Sequence, residues 1–169
     1  MIVLVLGGAR SGKSAVAEAL AARLPPPVTY LATLVADPDD DDLAARIHAH
    51  RIRRPPAWAT VETGAALSLV DALRTTSGSV VVDSLGPWLA AAEHLQVDPV
   101  ELCDALRQRG ADSVVVSEEV GMGVHPSSEL GRRFRDRLGE VNQAVAAVAD
   151  DVLLVVAGRT LRLDRVHPR

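Results

Sequence analysis

IVLVLGGARSGKSAVAEALAARL, residues 2–24, decides the fold. Its first five residues are apolar without a polar alternation, the pattern of a strand buried on both faces of a parallel sheet. Its last eleven, SAVAEALAARL, have helical composition. Between them stands G-x-x-x-x-G-K-[ST], met by Gly7, Gly12, Lys13 and Ser14. In such a loop the glycines let backbone N–H groups curl around a β-phosphate, the lysine reaches β and γ oxygens, and the hydroxyl ligates Mg²⁺. A strand before and a helix after are the context that the motif requires. Lys13 is the only lysine, and the remaining seventeen of the 18 Lys+Arg residues are arginine. A compact, strongly hydrated ammonium is not interchangeable with a planar guanidinium fork, so this position asks for a tight anion cradle.

The strand pattern recurs in VTYLAT (28–33), SVVVD (79–83), SVVVS (113–117) and DVLLVVA (151–157), with helical stretches between most of them. Buried strands alternating with amphipathic helices predict right-handed crossovers and an α/β fold. The architecture expected is a three-layer sandwich on a mostly parallel sheet, that of the P-loop (RecA-like) nucleoside triphosphatases. GRTLRLDR, near the end, adds an edge strand. PPP at 25–27 ends the first helix and starts the second strand. With 169 residues and no linker-like stretch or internal repeat, one domain over 1–169 is expected.

Composition narrows the function classes. A formal charge of −4 argues against a general nucleic-acid binder. One cysteine, Cys103, excludes an internal disulfide, agrees with a reducing compartment and is expected to pack as a small hydrophobe. No apolar run reaches the roughly 18 residues of a membrane span. A cytoplasmic protein with no membrane span is expected.

ADPDDDDLAARIHAHRIRRPP (36–56) reads as a helix with Asp37 as cap, Pro38 in its first turn and Asp39 to Asp42 at the positive end of its dipole. At 100° per residue, Arg46, His50, Arg53 and Arg54 fall within an arc of about 100°. Like charge around His50 disfavours its protonated form, leaving a neutral nitrogen that could attack an α-phosphate. Asp83, at a strand end, either caps the next turn or holds Mg²⁺ together with Ser14. Glu118 and Glu119 end the next strand in the same way, as candidate bases or outer metal contacts. Trp58 and Trp88 either stack on a ligand or fill volume, and Phe134, Leu138, Val141 and Val145 form a core stripe. Arg132, Arg133 and Arg135 either approach phosphates or form surface pairs. On the residues alone, three readings stay open: a nucleotidyl-transferring enzyme using His50, a plain small-molecule kinase, and a nucleotide-gated interaction module.

GGARSGKS, YLAT, ARIHAHRIRRPPAWATVE, VVDSLGPWL, SEEVGMGVHP and RRFRDRLGEVNQAVA, in this order and spacing, resemble the bifunctional adenosylcobinamide kinase and adenosylcobinamide-phosphate guanylyltransferase family. The resemblance covers essentially the whole chain. It implies two reactions in cobalamin nucleotide-loop assembly. ATP or GTP phosphorylates the aminopropanol hydroxyl of adenosylcobinamide, and GMP from GTP then passes through a guanylyl-histidine to give adenosylcobinamide-GDP. A transferase-only member of the family is an alternative. Carried over residue by residue, the guanylylated histidine is His50, and Lys13 works on both reactions. The nucleotide contacts are Gly7, Gly8, Ala9, Arg10, Ser11, Gly12, Lys13, Ser14, Ala32, Thr33, Leu34, Arg51, Ile52, Arg53, Arg54, Glu62 and Asp83. The resemblance also implies Mg²⁺, a corrinoid substrate and a homotrimer. The chain departs from the family pattern at Glu118-Glu119, where Asn-Glu is usual, at Ser84 to Gly86, and near Ala91.

Overall fold

The apolar run after Met1 becomes strand β1 (Ile2–Gly7), buried over its length. It lies inside a seven-stranded sheet in the computed structural model, which describes residues 1–34, 47–48, 51–64 and 68–165. The other strands are β2 (Val28–Ala32), β3 (Ala59–Glu62), β4 (Ser79–Asp83), β5 (Ser113–Glu118), β6 (Asp151–Val156) and β7 (Arg159–Arg162). Their order across the sheet is β3-β2-β4-β5-β1-β6-β7. Every pairing is parallel except that of β6 with β7. The described helices of a full turn or more are α1 (Lys13–Ala21), α2 (Leu69–Thr75), α3 (Leu85–Ala91), α4 (Pro99–Gln108) and α5 (Glu129–Val148). This is the α/β sandwich with the P-loop nucleoside triphosphatase architecture that the sequence predicts.

Alternation along the central strands sends side chains to both faces. Val3, Val5, Val81, Val114 and Val116 pack with Ala17 and Ala21 of α1 and with Tyr30. Leu4, Leu6, Val80, Val82 and Val115 pack instead with leucines of α2, α3 and α4 and with Leu138, Val141 and Val145 of α5. Each such leucine or valine, once buried, contributes about 1.5–3 kcal/mol of transfer free energy. The two clusters make the outer interfaces of three layers.

The helix starts follow from short polar side chains. Ser68 accepts from the Asp71 N–H, Asp98 from those of Val100 and Glu101, and Ser128 from that of Gly131. Helix α1 begins differently: its cap is Gly12, in the left-handed region at φ 93°, with no side-chain hydrogen bond. Of the first-turn N–H groups of α1, that of Lys13 donates to the Ser11 hydroxyl at 3.4 Å, and the Gly12 cap itself supplies no acceptor side chain.

Two readings shift on contact with the structure, and a third lies mostly outside the described residues. β3 was not expected; its sequence ATVE is mostly exposed because it forms the outer edge of the sheet, where among the described residues it pairs with β2 alone. Its hydrogen bonds, not a buried apolar run, make it a strand. The helix expected after Asp37 falls largely outside the described residues, which carry helical backbone at Ile47, His48 and 51–53. Phe134 is only partly buried against the core, unlike Leu138, Val141 and Val145. The edge strand in GRTLRLDR is β7, and Cys103 is a buried free thiol whose pKa burial raises.

Candidate functional site

The C-terminal ends of the central parallel strands surround a cavity of about 680 Å³. Open α/β sheets bind ligands at this edge, where the loops after the strands diverge. Residues 10–14 form one wall. Arg10 (φ 54°) and Gly12 (φ 93°) bend the loop back, and Ser11 N donates to Gly8 O at 3.3 Å. A Cβ on Gly12 would lie 3.2 Å from Gly158 Cα, so the loop is packed against the β6–β7 turn as well as bent. Gly158 N donates to Ser11 O at 2.8 Å, fastening that contact.

Lys13 projects into the cavity beside Glu118, with Nζ 3.4 Å from Oε1. Glu118 is held at the end of β5 by the Ser84 hydroxyl at 2.7 Å and by the Gly86 N–H at 2.9 Å. A Cβ on Gly86 would collide with that carboxylate, so glycine here makes room for it. Glu119 turns away and accepts from the Gly121 N–H at 2.6 Å. Of the two glutamates, only Glu118 lines the cavity.

Asp83 accepts a short hydrogen bond from the Tyr30 hydroxyl. Burial first, then the neighbouring Asp83 carboxylate, pushes the Tyr30 phenol far above its ordinary value, so it stays a donor. Above the Tyr30 ring, 3.4 Å from its centroid, lies the Arg54 guanidinium, a cation–π contact. Arg53 donates from Nε and Nη2 to the buried Glu18 of α1, both at 3.3 Å. Arg51 pairs with Glu62 at 2.5 Å, but both side chains are more than half exposed, and such pairs contribute little.

Of the residues named from the sequence, Arg10, Ser11, Gly12, Lys13, Ser14, Ala32, Leu34, Arg51, Arg53, Arg54, Glu62 and Asp83 line this one cavity. Gly7, Gly8, Ala9, Thr33 and Ile52 do not. Thr33 is buried, its hydroxyl donating to Ser84 O and accepting from Ser84 N. It joins the ends of β2 and β4. Ile52 is 70% exposed. His50 and Arg46 lie outside the described residues. Arg132 and Arg133 donate to backbone carbonyls, and Arg135 pairs with Asp136 beside His125. Trp58 and Trp88 pack against the two core clusters.

Sequence reasoning passed over Tyr30, Glu18 and Ser84. Tyr30 carried a signal, because a lone tyrosine in a buried strand needs a partner for its hydroxyl. Glu18, one glutamate in an alanine-rich helical run, carries no signal of its own. The hydroxyl of Ser14 and the carboxylate of Asp83 are oxygen donors on one cavity beside Lys13. That donor set suits Mg²⁺, which takes one or two protein oxygens and completes its shell with phosphate and water.

A family model described as cobinamide kinase / cobinamide phosphate guanyltransferase matches residues 3–163. The bifunctional adenosylcobalamin biosynthesis protein CobU of Salmonella typhimurium is 42% identical, the alignment covering 94% of this chain and 97% of the relative. CobP of Pseudomonas aeruginosa, named likewise, is 38% identical over 95% of each chain. Among solved structures, an ATPase of a bacterial type III secretion system superposes at a TM-score of 0.55 with 10% identity, over 90% of this chain and 50% of its own. A Pyrococcus horikoshii protein does so at 0.53 with 8% identity, over 95% and 84%. These two likenesses concern the fold alone.

Proposed function

The chain belongs to the cobinamide kinase / cobinamide phosphate guanyltransferase family, and from that premise we propose that it carries out both reactions of cobalamin nucleotide-loop assembly at the cavity described above. In the first, the aminopropanol hydroxyl of adenosylcobinamide attacks the γ-phosphorus of ATP or GTP. The bond to the β–γ bridging oxygen breaks, the nucleoside diphosphate leaves with its electron pair, and the hydroxyl proton passes to solvent. In the second, a His50 ring nitrogen attacks the α-phosphorus of GTP and pyrophosphate leaves. The phosphate of adenosylcobinamide phosphate then displaces the histidine, giving adenosylcobinamide-GDP.

One observation carries the reading: Lys13, Asp83 and the guanidinium groups of Arg51, Arg53 and Arg54 line a single cavity. Lys13 meets β and γ oxygens, while the arginines stabilise charge on the leaving pyrophosphate. Ser14 and Asp83 would hold Mg²⁺, which neutralises phosphate charge when bound. His50 comes one residue before Arg51 in the chain. The same reading makes the protein one cytoplasmic catalytic domain and a homotrimer with its sites near subunit interfaces, which sedimentation can check. Among the described residues no helix is long and apolar enough to cross a membrane.

Incubation with GTP labelled at the α-phosphate tests the central claim. Acid-labile, base-stable label is expected on the wild-type protein and none on His50→Ala. Label that survives the substitution overturns the role given to His50, and γ-transfer without any adduct leaves a plain kinase.

A further inference from the structure

We propose that the wall formed by Pro87, Ala90 and Phe134 is the subsite for the corrinoid acceptor, with Glu118 and Ser84 at the point where its hydroxyl meets the γ-phosphate. The inference rests on the functional reading above and deepens it.

The cavity has two chemically different ends. At one, Arg54 stands over Tyr30 of β2, Arg51 pairs with Glu62 of β3, and Arg53 reaches Glu18 of α1. At the other end, α3 and α5 contribute Pro87, Ala90 and Phe134, which carry no charge and no side-chain hydrogen-bonding group. Helical spacing places Gly86, Pro87 and Ala90 on one face of α3, since residues three and four apart are neighbours. Phe134 comes from α5, which packs against α3. The junction between the two ends is fixed by hydrogen bonds: Glu118 takes the Gly86 N–H at the start of that face and the Ser84 hydroxyl.

The same carboxylate stands 3.4 Å from Lys13 Nζ. A phosphate-loop lysine reaches β and γ oxygens, so the Glu118 end of the cavity is the γ end. An acceptor for the γ-phosphoryl group must approach from the side away from the rest of the nucleotide, roughly in line with the bond that breaks. That direction leads onto the apolar wall. The acceptor carries its hydroxyl on a short arm beside a corrin ring whose methyl groups and edge offer apolar contact between the amide side chains: Glu118 and Ser84 accept or donate to the hydroxyl, and Phe134, Pro87 and Ala90 meet that apolar part of the ring. Ala90 is exposed and Phe134 only partly buried, so both present surface to a ligand.

Ala90→Phe and Phe134→Leu test the assignment, with adenosylcobinamide titrated in the γ-transfer assay and binding of a fluorescent GTP analogue measured on the same preparations. Ala90→Phe fills the subsite from an exposed position that does not disturb the core. The acceptor KM is expected to rise at least about tenfold, with GTP-analogue affinity within about twofold of wild type. Phe134→Leu is expected to raise the acceptor KM more weakly, again with nucleotide binding retained. An unchanged acceptor KM in both variants, beside normal wild-type turnover, overturns the subsite alone. GTP-analogue affinity falling in step with the acceptor KM overturns it as well, by placing the wall in the nucleotide site. Wild-type protein that binds the analogue yet phosphorylates no cobinamide overturns the functional reading, and the subsite falls with it.

Discussion

Lys13 and Glu118 form an ion pair at 3.4 Å, with side chains only 13% and 24% exposed, in the cavity where a triphosphate is expected. An incoming nucleotide must therefore draw the ammonium away from a carboxylate that is itself fixed by Ser84 and Gly86. Glu118→Gln removes the competing charge and also the repulsion between that carboxylate and the phosphates. Triphosphate affinity measured without divalent cation is expected to rise about fivefold, the equivalent of about 1 kcal/mol for a partly buried pair. A fluorescent-analogue titration at low and high salt checks this, and unchanged affinity would show that the pair does not oppose binding.

Lys13→Arg keeps the charge and loses the fit. The guanidinium fork is wider than an ammonium, and its donors cannot all turn to one oxygen. Both γ-transfer and guanylylation are expected to slow together, by about a hundredfold or more. Parallel assays of the two activities provide the measurement. Loss of one alone would mean that the reactions do not share this cradle.

Tyr30→Phe removes the hydroxyl that Asp83 accepts from, at a site 1% exposed. The expected cost is about 1–3 kcal/mol of stability, the range for a hydrogen bond to a charged acceptor. The pH dependence has a definite sign. Folding raises the phenol above its ordinary value, chiefly through burial, so protonated Tyr30 stabilises the fold fully below about pH 10, where the unfolded phenol titrates. That stabilisation is lost as pH climbs towards the folded value. Urea unfolding of both proteins should give a constant difference up to about pH 10 and a shrinking one above it.

Gly12→Ala strains the phosphate loop twice. The backbone is at φ 93°, and the new methyl would meet Gly158 Cα at 3.2 Å. A loss of about 1–2 kcal/mol is expected from the backbone conformation alone. Thermal unfolding measures that part. Nucleotide titration should show a larger defect, at least about tenfold, since the N–H groups of α1 are re-aimed.

The layered fold was legible because β1, β2, β4 and β5 are buried on both faces and so appear as unbroken apolar runs. β3 was not, since an exposed edge strand owes its existence to pairing with β2, which leaves no apolar trace. The phosphate loop was legible for the opposite reason: its conformation demands glycines at set spacings. Thr33 illustrates the limit. The family resemblance makes it a nucleotide contact, and its hydroxyl is committed to a two-way bond with the Ser84 backbone that no local pattern announces. Glu118 was a candidate from its place at a strand end, but its pairing with Lys13, like that of Tyr30 with Asp83, joins residues far apart in the chain.

Strand β1 carries the phosphate loop, yet its two neighbours in the sheet come from residues 113–118 and 151–155. The carbonyl of Ser11 is likewise fastened by the N–H of Gly158. On a ribosome these partners emerge long after the loop itself, so a nascent chain carries the complete GGARSGKS segment without walls to shape it. Such non-local pairing is slow to form and leaves an apolar strand exposed meanwhile. A truncated translation product ending before β6 should therefore be a client for chaperones and unable to sequester cellular GTP, although the whole nucleotide motif has already been synthesised.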